Sequence, residues 1–205
     1  MTFTLTDDLR QEYQRLFSGC AIQAQHQAEV ENTVKTICAN KDRYQTVAAA
    51  LGIPWYFVAV IHAMEASLNF QSHLHNGDPL TARTVQVPKG RPVDGTPPFT
   101  WEESAIDALR LRGLDKVTDW SLPGLLFELE GYNGFGYRRL NPAVSTPYLW
   151  SYSPSYKSGK FVGDGKFDPD AVSKQCGAAV ILWEMVKQGI IQIDQGTQPL
   201  ATTAS

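Results

Sequence analysis

Pro54-Trp55-Tyr56-Phe57-Val58-Ala59-Val60-Ile61-His62-Ala63-Met64-Glu65-Ala66-Ser67-Leu68 is the stretch that decides the fold. Proline suits a first helical position, where its missing N–H leaves no bond unmade. The helix it opens is apolar on almost every face, so it has no side wide enough to lie against water and belongs in the middle of a domain. Its single carboxylate, Glu65, stands near the far end. Val58, Ile61, His62, Glu65 and Leu68 share one face at helical spacing, so the reading expects a carboxyl among apolar groups, one turn from an imidazole. Desolvation would hold such a carboxyl protonated, as a proton donor at neutral pH requires; the other reading of the same pattern is a Glu65 that reaches past the helix end into solvent or pairs with an arginine.

Outward from this helix, the other segments are assigned by caps and spacing. Thr6 followed by Asp7 and Asp8 opens a helix to Phe17, and a polar helix runs from about Ile22 to Ala39. A third spans Lys41 to Leu51 and is closed by Gly52. Beyond Leu68 the composition changes. Residues 69–100 hold the turn sequences Asn76-Gly77-Asp78-Pro79, Lys89-Gly90-Arg91-Pro92 and Asp94-Gly95, which exclude helix. Thr81 to Val87 reads as a short strand within this excursion.

Thr100 and Glu103 form a capping-box pattern for a helix with apolar residues at Ile106, Leu109 and Leu111. Another helix covers about Leu122 to Glu130 and ends in Gly131-Tyr132-Asn133-Gly134. Residues 141–170 are irregular and aromatic, and a last helix runs from Asp170 to Lys187 with Val172, Cys176, Val180 and Trp183 on its core stripe. The expected fold class is mainly α, about seven helices around a buried central helix with a small β-hairpin or loop excursion directly after it. The expected organisation is one domain over 1–194, divided into N-terminal helices (1–52), a core (53–140), an aromatic loop (141–170) and a C-terminal helix (171–190), with a flexible tail at 195–205.

The chain has 205 residues, 43% of them hydrophobic and 19% charged, and a net charge of -3. That is the composition of a globular protein, and its mild acidity argues against a partner such as duplex nucleic acid, which needs a basic face. No apolar run reaches the roughly twenty residues of a membrane span, so membrane insertion is not expected. Asp7 and Asp8 stand where a secretory signal would carry basic residues, which leads to the expectation of synthesis in the cytoplasm without a signal peptide and action after release or dedicated export. Cys20, Cys38 and Cys176 lack a metal-ligand pattern and read as free thiols, with a Cys20–Cys38 bridge as the alternative. His73, His75 and Asp78 are too sparse a set to hold a metal, and neither metal nor cofactor is expected.

A buried helix that ends in a glutamate and leads straight into a loop excursion resembles the lysozyme-like superfamily, closest to goose-type lysozymes and soluble lytic transglycosylases. The matching pieces are Glu65 with Ala66-Ser67, Gln86 in Thr84-Val85-Gln86-Val87, and Tyr132-Asn133-Gly134. They span about residues 54–137. The sequence departs from the family's pattern in having Ala after Glu65 and no Gly-Leu-Met before Gln86.

What the resemblance implies is a lysozyme-like fold and a monomeric glycosidase in the family's manner, with peptidoglycan as partner and the β-1,4 bond from N-acetylmuramic acid to N-acetylglucosamine as target. Glu65 would be the general acid, with Gln86, Tyr132 and Asn133 on the sugars; His62, one turn before Glu65, reads from its spacing either as a partner of Glu65 or a sugar or as a satisfied core histidine. Hydrolysis with inversion needs a second carboxylate across the cleft. Asp78 is the first choice and Asp94 the second; without either, lytic transglycosylation by Glu65 alone is implied. Trp150, with Tyr148, Tyr152 and Tyr156, offers rings for sugar stacking or a local core. Arg91 offers a charge for peptide carboxylates. Chitin or chitosan cleavage, and a non-catalytic carbohydrate-binding or phage structural module, are the competing readings.

Overall fold

A computed structural model describes residues 3–163 and 165–196. Among these residues the chain is mainly helical with one small antiparallel sheet. The helices are α1 (Asp7–Ser18), α2 (Gln27–Ala39), α3 (Lys41–Leu51), α4 (Trp55–Ala66), α5 (Trp101–Leu111), α6 (Leu122–Asn133), α7 (Gly136–Leu140), α8 (Pro147–Trp150) and α9 (Ala178–Lys187); the strands are β1 (Lys160–Gly163) and β2 (Lys166–Asp168). The expected tail falls mostly on 197–205, outside the described residues. No single helix among the described residues is long and apolar enough to cross a membrane. The chain divides into two compact units, residues 24–118 and residues 1–23 with 119–205.

In the 24–118 unit, α4 is the core element. Phe57 to His62 are all buried without a break. Each fully buried large aliphatic or aromatic side chain contributes roughly 1.5–3 kcal/mol, so this helix is the main apolar anchor of its unit. α3 packs on α4 and on α5. α3 ends on Gly52 in the left-handed region (φ 69), which a glycine adopts without the Cβ clash of other residues. The Thr100 hydroxyl accepts from Glu103 N while Glu103 accepts from Thr100 N, so α5 begins with the capping box its sequence calls for.

The strand expected at Thr81 to Val87 does not form. The N–H groups of Val85 and Gln86 donate to the Asp78 carboxylate, and Thr84 closes its own ring of bonds with Pro88 and Arg91. These groups are therefore unavailable to a ladder. The only paired strands among the described residues lie instead at 160–168, in the segment expected to be irregular.

In the other unit, α1 packs on α6, and α8 packs on α6 and α9. α6 continues three residues past its expected end, through Gly131 and Tyr132 to Asn133. α9 begins eight residues later than expected. Residues 171–177 are held extended instead, because Gly159 N donates to Ala171 O, the Tyr152 hydroxyl to Lys174 O, and Gly177 N to Ser151 O. Val172 is accordingly exposed rather than in the core, and so is Leu111 on α5. Gly177 lies so close to Leu149 that a Cβ would sit 2.2 Å from its carbonyl oxygen, which explains a glycine at the entry to α9. Cys20, Cys38 and Cys176 are free thiols, and no Cys20–Cys38 bridge forms.

Candidate active site

Glu65 occupies the last turn of α4 and is exposed. The expectation of a carboxyl enclosed among Val58, Ile61 and Leu68 is corrected: Val58, Ile61 and His62 are buried, but α4 stops at Ala66 and Leu68 leaves the helical stripe. Ser67 (φ 49) and Leu68 (φ 60) are both left-handed although neither is glycine. Each such residue costs about 1 kcal/mol or more, and consecutive ones persist only where the surroundings hold them. Here the hold is visible. Leu68 N donates to His62 O at 3.3 Å, Asn69 N to Ala66 O at 2.9 Å, and Gln71 N to the Asn69 side chain at 3.0 Å.

His62 completes the turn. Asn69 O can only accept, so Nε2 of His62 carries the proton and donates to it at 3.1 Å. Nδ1 is then the acceptor for the Tyr44 hydroxyl at 3.1 Å. The ring is fully buried against Phe70 and Trp101, with centroids 4.5 and 4.4 Å away. Burial pushes the His62 pKa down to about 4, with the Asn69 bond opposing. Of the two readings of His62, a contact to Glu65 or a sugar and a satisfied core histidine, the bonds match the second: both nitrogens are engaged inside the protein, and the ring ties down the turn that follows Glu65.

Asp78 has the geometry of a loop clip. One carboxylate oxygen accepts from Val85 N at 2.8 Å, Gln86 N at 3.0 Å and the Asn76 amide at 3.1 Å. The backbone donors of Gln86 and Val85 hold its pKa below the usual carboxylate value. General bases weaken as their pKa falls, so this is a poor environment for activating water. What Asp78 does is fix the backbone beneath Gln86, whose side chain is exposed. Asp94, the second choice for that role, is exposed in the same excursion.

A buried network ties the excursion to α5. Nε2 of His73 donates to Ala82 O at 2.8 Å, and its Nδ1 accepts from the Ser104 hydroxyl at 2.8 Å. Asp107 accepts from Nε2 of His75 at 2.7 Å and from Arg91 through two bonds of 2.8 Å. Burial lowers the His75 pKa, and the Asp107 bond and charge oppose it. Arg91, expected to meet substrate carboxylates, is thereby occupied. Sequence spacing gives no sign of these pairs, since partners lie up to 32 residues apart.

No family model, curated protein or solved structure matches the chain.

Tyr132, Asn133 and Trp150 belong to the other unit. Tyr132 is half-buried and Asn133 exposed at the end of α6. Trp150, offered above as a stacking ring, is 1% exposed and belongs to that unit's core, as do Tyr152 and Tyr156. Tyr148 alone of the four is half-exposed. Glu130, which the sequence reading passed over, is buried and accepts from the Tyr13 hydroxyl at 2.7 Å and from Arg138 at 2.9 Å, with Glu12 on the far side of the guanidinium. Burial raises the Glu130 pKa, with Arg138 opposing. This network borders a cavity of ≈ 460 Å³. Among the described residues no group of three or more His, Cys, Asp or Glu side chains could hold a metal ion.

Proposed function

We propose that this chain is a lysozyme-like glycosidase that degrades peptidoglycan, with Glu65 as the proton donor to the β-1,4 bond between N-acetylmuramic acid and N-acetylglucosamine. One observation carries the reading: a single carboxylate is presented to solvent in the last turn of a buried helix, immediately before two left-handed residues whose turn is tied down by a buried neutral histidine. Strained, over-determined backbone beside one exposed acid is a recurring mark of a catalytic group. A sugar chain covering Glu65 would supply the desolvation that the free protein does not.

The commitment of Asp78 to backbone donors favours chemistry with one carboxylate. Glu65 donates its proton to the leaving oxygen as the C1–O4 bond breaks and positive charge builds on the ring. The carboxylate so formed takes the proton of the muramyl 6-hydroxyl, whose oxygen closes on C1 to give a 1,6-anhydro product. Gln86, on the backbone fixed by Asp78, is assigned to sugar binding. Mass spectrometry of the fragments released from purified peptidoglycan tests this directly. Anhydromuramyl ends are expected; reducing ends would mean hydrolysis with a second base, release from chitin alone would reverse the substrate, and no release from either polymer would favour a binding module.

A further inference from the structure

The unit formed by residues 1–23 and 119–205 holds a small cavity of ≈ 160 Å³ bordered by Asn133, Tyr148, Lys160, Phe161, Ser173 and Gln175. Among the described residues its only charged side chain is Lys160. Across the ladder Lys160 faces Asp168, a register in which opposite charges can pair. Asp168 instead accepts from Asp170 N at 2.9 Å and Ala171 N at 3.2 Å. Lys160 consequently makes no ion pair among the described residues.

Whole small-molecule sites usually enclose about 300–1,000 Å³, so this cavity suits one substituent of a longer molecule. An ammonium with no ion pair among the described residues calls for a carboxylate, the Asn133 amide and Ser173 offer neutral polar contacts, and the rings of Tyr148 and Phe161 suit an apolar stem. We infer that this pocket is a subsite for the carboxylate-bearing peptide arm of a muramyl residue, with Lys160 as its specificity-determining cation. This rests on the peptidoglycan reading above and deepens it, because polymers of N-acetylglucosamine carry no carboxylate.

The test is calorimetric titration of the full chain and of Lys160→Gln and Lys160→Arg with two probes, N-acetylmuramyl-L-alanyl-D-isoglutamine and the tetramer of N-acetylglucosamine. The ratio of the two affinities should fall about tenfold in Lys160→Gln, with loss of its salt dependence, and recover in Lys160→Arg. Thermal melting of each variant confirms folding. An unchanged ratio in Lys160→Gln, or no binding of the muramyl probe by the unsubstituted chain, overturns the subsite. Lysis of peptidoglycan together with an unchanged ratio leaves the glycosidase reading standing alone, whereas Lys160-dependent binding without any released fragment overturns that reading and leaves the subsite.

Discussion

His62 makes the fold sensitive to acid in a way that can be measured at one residue. Its pKa is about 4 in the folded protein against a reference of about 6.5 in an unfolded chain. Below pH 6.5 the unfolded state takes up a proton that the folded state refuses, so stability falls as pH decreases and levels off once pH passes below about 4. At about 1.4 kcal/mol per pH unit, the loss amounts to roughly 2 kcal/mol by pH 5 and roughly 3 kcal/mol by pH 4. His75, also lowered by burial, adds a loss of the same sign. A glutamine at position 62 can still donate to Asn69 O but cannot titrate. His62→Gln should lower stability at pH 7 by about 1–3 kcal/mol, through imperfect packing against Phe70 and Trp101. It should also shrink the difference between pH 7 and pH 5 by about 2 kcal/mol. Urea denaturation of both proteins at the two pH values gives the four free energies required. An identical pH dependence in the variant, or an imidazole resonance of His62 that titrates near 6.5, would refute the buried neutral assignment.

Two further outcomes follow from the same geometry. Asp78→Asn keeps an oxygen for the Val85 and Gln86 N–H groups, so lysis rates should stay within about tenfold of the unsubstituted chain; a loss of about 10²–10⁴ would identify Asp78 as a general base. Leu68→Gly removes the Cβ from a left-handed position (φ 60) and should raise the melting temperature, by an amount corresponding to about 1 kcal/mol or less; a lower melting temperature would contradict the strain assigned to this residue. Calorimetric melting decides its sign.

Some of this was legible in the residues and some was not, for identifiable reasons. The buried helix behind Pro54, the Thr100–Glu103 capping box and the stop at Gly52 follow from local chemistry, and the structure contains all three. The expected strand at Thr81 to Val87 failed because its pattern of β-branched residues was outweighed by one side chain, Asp78, which captured two backbone donors. The sheet at 160–168 went unread because its strands are only four and three residues long and carry little alternation. The burial expected at Glu65 assumed that the helix ran on to Leu68. Two left-handed residues end it earlier, and the bond that holds them depends on Tyr44 and Asn69 meeting His62 in space. His75, Arg91 and Asp107 likewise converge only through the fold.

The central claim is that Glu65 carries the proton. Glu65→Gln keeps the size and exposure of the side chain at the end of α4 and removes only its acid, so the variant should melt within a few degrees of the unsubstituted chain. The decisive measurement is the rate at which each protein releases soluble fragments from purified peptidoglycan at equal folded concentration. A loss of at least about 10²-fold is expected in Glu65→Gln. Release at an undiminished rate would contradict it.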